Sequence, residues 1–188
     1  MAHTLCFDIA TSRWHTDRKT GEMPCTLRIA WWDERRIEPE CLLIRPNSSF
    51  AIDPGTFPYH GLTVEHLLEN GVDSAAAVKE FERAADGASA IVSFHADFHW
   101  RALYRLMGLP DTTPRPPTMV CAMALATPIL AIPAMRPGGG LKSPNLREAC
   151  AFFDVPPPRP VKDGPMALAL STVRAVSGVY EACLRRVE

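Results

Sequence analysis

The sequence predicts an α/β fold: a mixed five-stranded sheet, an antiparallel meander extended by parallel strands, flanked by helices. Three observations predict it. Three β-rich runs follow one another within the first 45 residues with no helical pattern between them. Two further apolar runs, at residues 89–94 and 118–121, each lie beside segments of helical periodicity. The apolar fraction of 47% over 188 residues is enough to bury both faces of such a sheet. Consecutive strands followed by strands alternating with helices give this layout, with the first strand central.

The first strand is Leu5-Cys6-Phe7-Asp8-Ile9-Ala10, a short apolar run closed by the turn-prone Thr11-Ser12. A long polar loop, Ser12 to Pro24, leads to Thr26–Trp32, a β-rich alternating run in which one of Trp31 and Trp32 faces the core. Asp33 to Arg36 reads as a charged turn, and Glu40 to Arg45 as the third strand. Pro54 to Tyr59 reads as irregular. Thr63 then caps a short helix ended by Gly71. Ser74 caps a second helix, with Val78, Phe81 and Ala85 on one face, stopped at Gly87. The strand Ser89–Phe94 leads into a helix bearing Trp100, Leu103, Tyr104 and Met107 at helical spacing, with Asp97 as a helix cap. After the proline-rich loop 110–117, a short strand at Thr118–Cys121 passes into a helix at Ala122–Ala126. Pro128 to Gly140 is irregular. Ser143 and Pro144 open the next helix as cap and first residue. Pro156 to Pro158 breaks it, and the last helix starts near Pro165 with Met166, Leu170, Val173, Val176, Tyr180, Cys183 and Val187 as its apolar stripe.

No internal repeat or composition shift divides the chain, so residues 1–188 are expected to form one domain. Twenty basic against 21 acidic residues give a net charge of −1, which excludes a global pull on phosphate and leaves only a local patch for nucleic acid. No leader is expected, and no apolar stretch is read as long enough to span a membrane. The six cysteines form no CxxC pair and read as reduced core thiols, consistent with a cytoplasmic protein. The glycine-rich Pro137–Gly140 lacks a preceding strand and a following Gly-Lys-Ser, so it is no phosphate-binding P-loop.

Asp8 stands out. A charge in a buried strand is costly unless paired or bound to metal, and in a sheet of this kind sites form at the carboxyl ends of the strands, where Asp8 falls.

The chain resembles the DnaQ-like (DEDDh) 3′–5′ exonucleases of the ribonuclease-H-like superfamily from about Leu5 to Val187. The most specific stretch is His60-Gly61-Leu62-Thr63 followed by Glu65, Leu67, Leu68 and Gly71. Phe94 to Leu103 is similar to a second family element, and Leu146 to Cys150 to the helix before the last one. The resemblance implies two magnesium ions about 3.5–4 Å apart, held by four carboxylates, with a histidine as general base. It also implies a nucleotide pocket at Ile9, Ala10, Thr11, His60, Gly61, Thr63 and His95.

Set against that pattern, Asp8 fills the first acid slot, while the others fall on Ala10, His99 and Met166, and the histidine slot on Val161. The reading is a degenerate exonuclease-fold domain with no cofactor, holding a single-stranded 3′ end or a protein partner; the resemblance also allows a homodimer. The first alternative is an active exonuclease using Mg2+ or Mn2+ through displaced acids such as Asp97 and Asp163. The second is a purely structural subunit. Asp8 and His99 are read as a hydrogen-bonded pair in preference to one transition-metal site. His60 and His66 are candidate substrate contacts, Trp14, Trp31 and Trp32 candidate stacking platforms, and Arg13, Arg18, Lys19, Arg101, Arg105 and Lys142 a candidate basic rim.

Overall fold

A computed structural model describes residues 3–14, 24–46, 51–110, 113–135 and 139–186. Nine residues, most of them buried, form β1 (His3–Thr11) at the middle of a five-stranded sheet. The antiparallel strands β2 (Thr26–Asp33) and β3 (Glu40–Leu43) extend it on one side. The parallel strands β4 (Ala88–Ser93) and β5 (Met119–Cys121) extend it on the other, giving the order β3-β2-β1-β4-β5. Between β3 and β4 come α1 (Phe57–His60), α2 (Val64–Asn70) and α3 (Ser74–Ala85), and between β4 and β5 α4 (Ala96–Leu106). After β5 follow α5 (Ala122–Leu130), α6 (Leu146–Phe153) and α7 (Pro165–Leu184).

The period of two along β1 decides which helices pack where. Leu5, Phe7 and Ile9 join Ile29 and Trp31 in a cluster with Phe81 of α3 and Trp100, Leu103 and Tyr104 of α4. Cys6 points the other way, with Val92, into a cluster with Ala122, Ala149, Cys150, Val176 and Val179 of α5, α6 and α7. Asp8 and Ala10 continue that second face toward the carboxyl end of the strand.

Several boundaries differ from the sequence expectation, each for a local reason. The stretch expected to be irregular contains α1, closed by Gly61 in the left-handed conformation (φ 66°). Asp73, one residue before Ser74, caps α3 by accepting from the Ala75 N–H. Asn145, not Ser143, caps α6, where a reciprocal capping box with Glu148 satisfies both backbone donors. Asp97 caps nothing: His95 occupies the cap of α4, and Asp97 pairs with Arg115 at 3.1 Å. The helix expected to end at Ala126 runs to Leu130 through Pro128, whose missing N–H falls on an exposed face. Asp33 ends β2 and is buried, its carboxylate held by Arg35 and its pKa lowered mainly by that bond. Among the thiols, Cys25 is exposed, while Cys6, Cys150 and Cys183 are buried.

The apolar stripe of α7 is corrected in part. Val173, Val176 and Cys183 are buried as expected and Tyr180 packs against the same cluster, but Met166 is exposed, and Leu168, Ala169 and Thr172 join the buried face. By length and composition α7 is apolar enough to cross a membrane, contrary to the sequence reading, because its polar face is mostly small residues interrupted by Arg174 and Glu181. Here half of that span is buried within the domain, against the sheet and its neighbouring helices. The expected features at Arg18, Lys19, Asn47, Pro137, Gly138 and Val187, and most of the loop from Ser12 to Pro24, lie outside the described residues.

Candidate functional site

Antiparallel pairing of β1 with β2 sets Asp8 opposite Ala30 and Ala10 opposite Arg28. Asp8 and Arg28 are therefore diagonal neighbours on one face of the sheet, within reach of a long side chain. Arg28 Nη2 donates to Asp8 Oδ2 at 3.0 Å, and Arg28 Nη1 donates to the carbonyl of Pro165, at the start of α7, at 3.3 Å. The arginine is 2% exposed. The carboxylate singled out in the sequence thus has a guanidinium as its partner.

His99 takes a different place from the one expected. Its Nε2 lies 3.9 Å from Asp8 Oδ1, too far for a hydrogen bond. Its Nδ1 is bonded to Ser93 Oγ at 2.5 Å. Burial pushes the imidazole down to about 4, against the pull of Asp8, so the ring is neutral near pH 7.

His60 is a latch within the chain. Its Nδ1 accepts the Leu62 N–H at 3.0 Å, which leaves the proton on Nε2 to donate to Thr56 Oγ1 at 3.2 Å. The Thr56 hydroxyl in turn donates to the Asp53 carbonyl at 2.7 Å. Burial, aided by the charge of Arg28, lowers His60 to about 4. With its lone pair engaged, the ring holds the turn rather than a substrate. Gly61 beside it leaves room for Val161, whose Cγ1 would sit 3.0 Å from any Cβ there. The His60–Gly61 pair and Val161 are therefore fitted to one another. Thr63 serves α2, accepting from the His66 N–H at 3.2 Å.

A groove of about 910 Å³ opens at this end of the sheet. Asp8, Ile9, Ala10, Thr11, His60, His95, His99 and Val161 line it; Gly61, Thr63 and Met166 do not. Leu168 and Thr172 form the α7 wall where Met166 was expected. Asp97 and Asp163 also lie outside the lining. Ala10 is 7% exposed and packs with Leu27, Leu43, Leu62 and Leu67, so its slot is an apolar one. Among the described residues, no group of three or more His, Cys, Asp or Glu is placed to hold a metal ion.

Of the expected stacking residues, Trp14 lines the groove with its ring edge-on to Tyr59, centroids 4.7 Å apart. Trp31 is core, and Trp32 is half-buried with its indole N–H donating to the Arg36 carbonyl. Of the expected basic rim, Lys142 lines the groove, whereas Arg13, Arg101 and Arg105 do not. Arg28, Arg147 and Arg159 supply the other cations of the lining. Sequence reasoning missed all three. For Arg28 a signal existed, since it is the one charge inside an otherwise apolar strand.

No family model matches the chain, and no curated protein matches it. Solved structures do. A product-bound exonuclease I aligns with TM-score 0.71 at 12% identity, over 100% of this chain and 45% of that one. Exonuclease I from Methylocaldum szegediense aligns with TM-score 0.67 at 13% identity, over 99% and 41%. E. coli exonuclease I in complex with a 5cy-dA13 oligonucleotide aligns with TM-score 0.69 at 14% identity, over 100% and 41%. The chain thus spans less than half the length of these exonucleases. At such identities the likeness speaks for architecture: the five-stranded mixed sheet and its helices have the ribonuclease-H-like exonuclease fold.

Proposed function

We propose that this chain is an exonuclease-fold domain that holds single-stranded nucleic acid in its groove without cleaving it by the two-metal route. The observation that carries the reading is the 3.0 Å bond from Arg28 to Asp8. Two hard cations need several oxygen donors, and their mutual repulsion is tolerated only inside a cage of carboxylates. Among the described residues the groove lining offers one carboxylate, already neutralised by a fixed positive charge. His99 faces the same carboxylate, but an incoming cation there would meet the guanidinium as a like charge. The residues present do not fit the metal pair.

The binding half of the reading is supported by the groove's chemistry, cations and exposed aromatic rings together, and by the likeness to exonuclease I structures that carry DNA oligonucleotides. It is tested by incubating end-labelled single-stranded DNA and RNA with the protein in Mg2+ and in Mn2+. Retarded, full-length strands are expected. Stepwise shortening from the 3′ end that Asp8→Ala abolishes overturns the proposal in favour of an active exonuclease. Absence of retardation even at low salt overturns it in favour of a structural role.

A further inference from the structure

The groove carries its own counter-charge, distributed away from Asp8. Among the described lining residues Asp8 is the single acid, and Arg28 pairs with it. Three cations remain: Lys142, Arg147 and Arg159, from the residues flanking the start of α6 and the loop after it. Lys142 shares its charge with Glu148 at 2.5 Å, so the field is concentrated on the two arginines. Arg147 is held in place by donating from Nη2 to the Pro158 carbonyl at 3.1 Å, and among the described residues its other guanidinium donors have no partner. Arg159 is exposed. A separate stretch of the wall carries the Trp14–Tyr59 pair, the rings 45% and 63% exposed and set edge-on.

We propose that the groove seats the phosphates of a single strand on Arg147, Arg159 and Lys142, stacks a base on the ring face of Trp14 with Tyr59 bracing that ring edge-on, and requires no divalent cation to do so. The inference rests on the nucleic-acid-binding reading above. A site that recruits phosphate through bound metal has its phosphate seat at the carboxylates. Here the carboxylate is spent on Arg28, so among the described residues a phosphate finds its positive partners on the α6 wall. The aromatic pair offers a π-face to any base, which favours a sequence-tolerant strand over a defined base.

The test is fluorescence anisotropy with a short labelled oligothymidylate, titrated over a KCl series in EDTA and again in Mg2+. The expected result is equal or tighter binding in EDTA. The paired substitution Arg147→Gln with Arg159→Gln should weaken binding at least tenfold and flatten the plot of log affinity against log salt by about 1.4, near 0.7 for each phosphate left without its arginine. Trp14→Ala should weaken binding roughly 5- to 150-fold with the salt slope unchanged, the signature of a missing stack. Thermal unfolding confirms that each variant is folded; Arg159→Gln alone, at an exposed position, serves if the pair is not, with half the slope change expected. Binding that requires Mg2+ or Mn2+, or an unchanged salt slope in the folded arginine variants, overturns the inference while leaving the binding reading intact. No binding by the parent protein in either buffer overturns both.

Discussion

Arg28 Nη2 stands 3.0 Å from Asp8 Oδ2, across a diagonal of the β1–β2 ladder, and both groups are largely removed from water. A buried pair of this kind is worth little as a pair but a great deal when half of it is removed, because the remaining charge is left without a partner. Arg28→Met should therefore destabilise the domain by about 3 kcal/mol or more, although Asp8 keeps some contact with water. The double substitution Arg28→Met with Asp8→Leu should return to within about 1 kcal/mol of the parent. Urea unfolding of the two singles and the double checks this. If the double is as unstable as the arginine single, Arg28 contributes through its bond to the Pro165 carbonyl rather than through Asp8.

How far the sequence discloses this site differs from residue to residue. Asp8 is legible because a lone charge in an apolar run demands an explanation. The sheet is legible because period two in the first 45 residues and period 3.6 later leave few other arrangements. Arg28 as the partner of Asp8 is a matter of register: a shift of one residue between β1 and β2 would send the guanidinium to the opposite face. Arg147 and Arg159 are further from reach, since the start of α6 and the loop after it come to the end of β1 only through tertiary packing. His60 shows the converse case. Its motif is plain in the sequence, but only the structure reveals that both ring nitrogens are already engaged within the chain.

Two neutral histidines give the fold a defined acid sensitivity. His60 and His99 both fall to about 4 in the folded state, chiefly through burial, from an ordinary value of 6.5. Between those values the unfolded chain binds protons that the folded chain excludes. Their contribution to stability is therefore present above about pH 6.5 and is lost as pH falls toward 4, with a slope approaching ~1.4 kcal/mol per pH unit for each ring. His99→Gln, which can still reach Ser93 with a polar group, should remove about half of that slope. Unfolding free energy measured from pH 7 to pH 4 checks it. A parent whose stability is flat across that interval would mean that both rings are reached by water and titrate normally.

The last prediction separates two reasons for a glycine. Gly71 follows α2 where the chain turns back beside β3, and a Cβ there would meet the Leu67 carbonyl at 2.4 Å and the Arg45 nitrogen at 2.6 Å. Its φ of −78° is open to any residue, so the requirement is space and not conformation. The crowding is backbone on both sides. Arg45 N–H donates to the Val72 carbonyl and Val72 N–H to the Leu43 carbonyl, which ties this segment to the end of β3. Gly71→Ala should therefore cost about 3 kcal/mol, and Gly71→Asn no less, because no side chain of any chemistry fits. Gly87 is the opposite case: its φ is +72° and nothing lies within 4 Å of a Cβ. Gly87→Ala should cost about 1 kcal/mol, and Gly87→Asn much less, since asparagine tolerates the left-handed region. Chemical denaturation of the four variants gives the comparison. Equal losses at the two sites for alanine, together with rescue by asparagine at both, would show that the approach of Arg45 to Gly71 yields readily and that conformation alone selects both glycines.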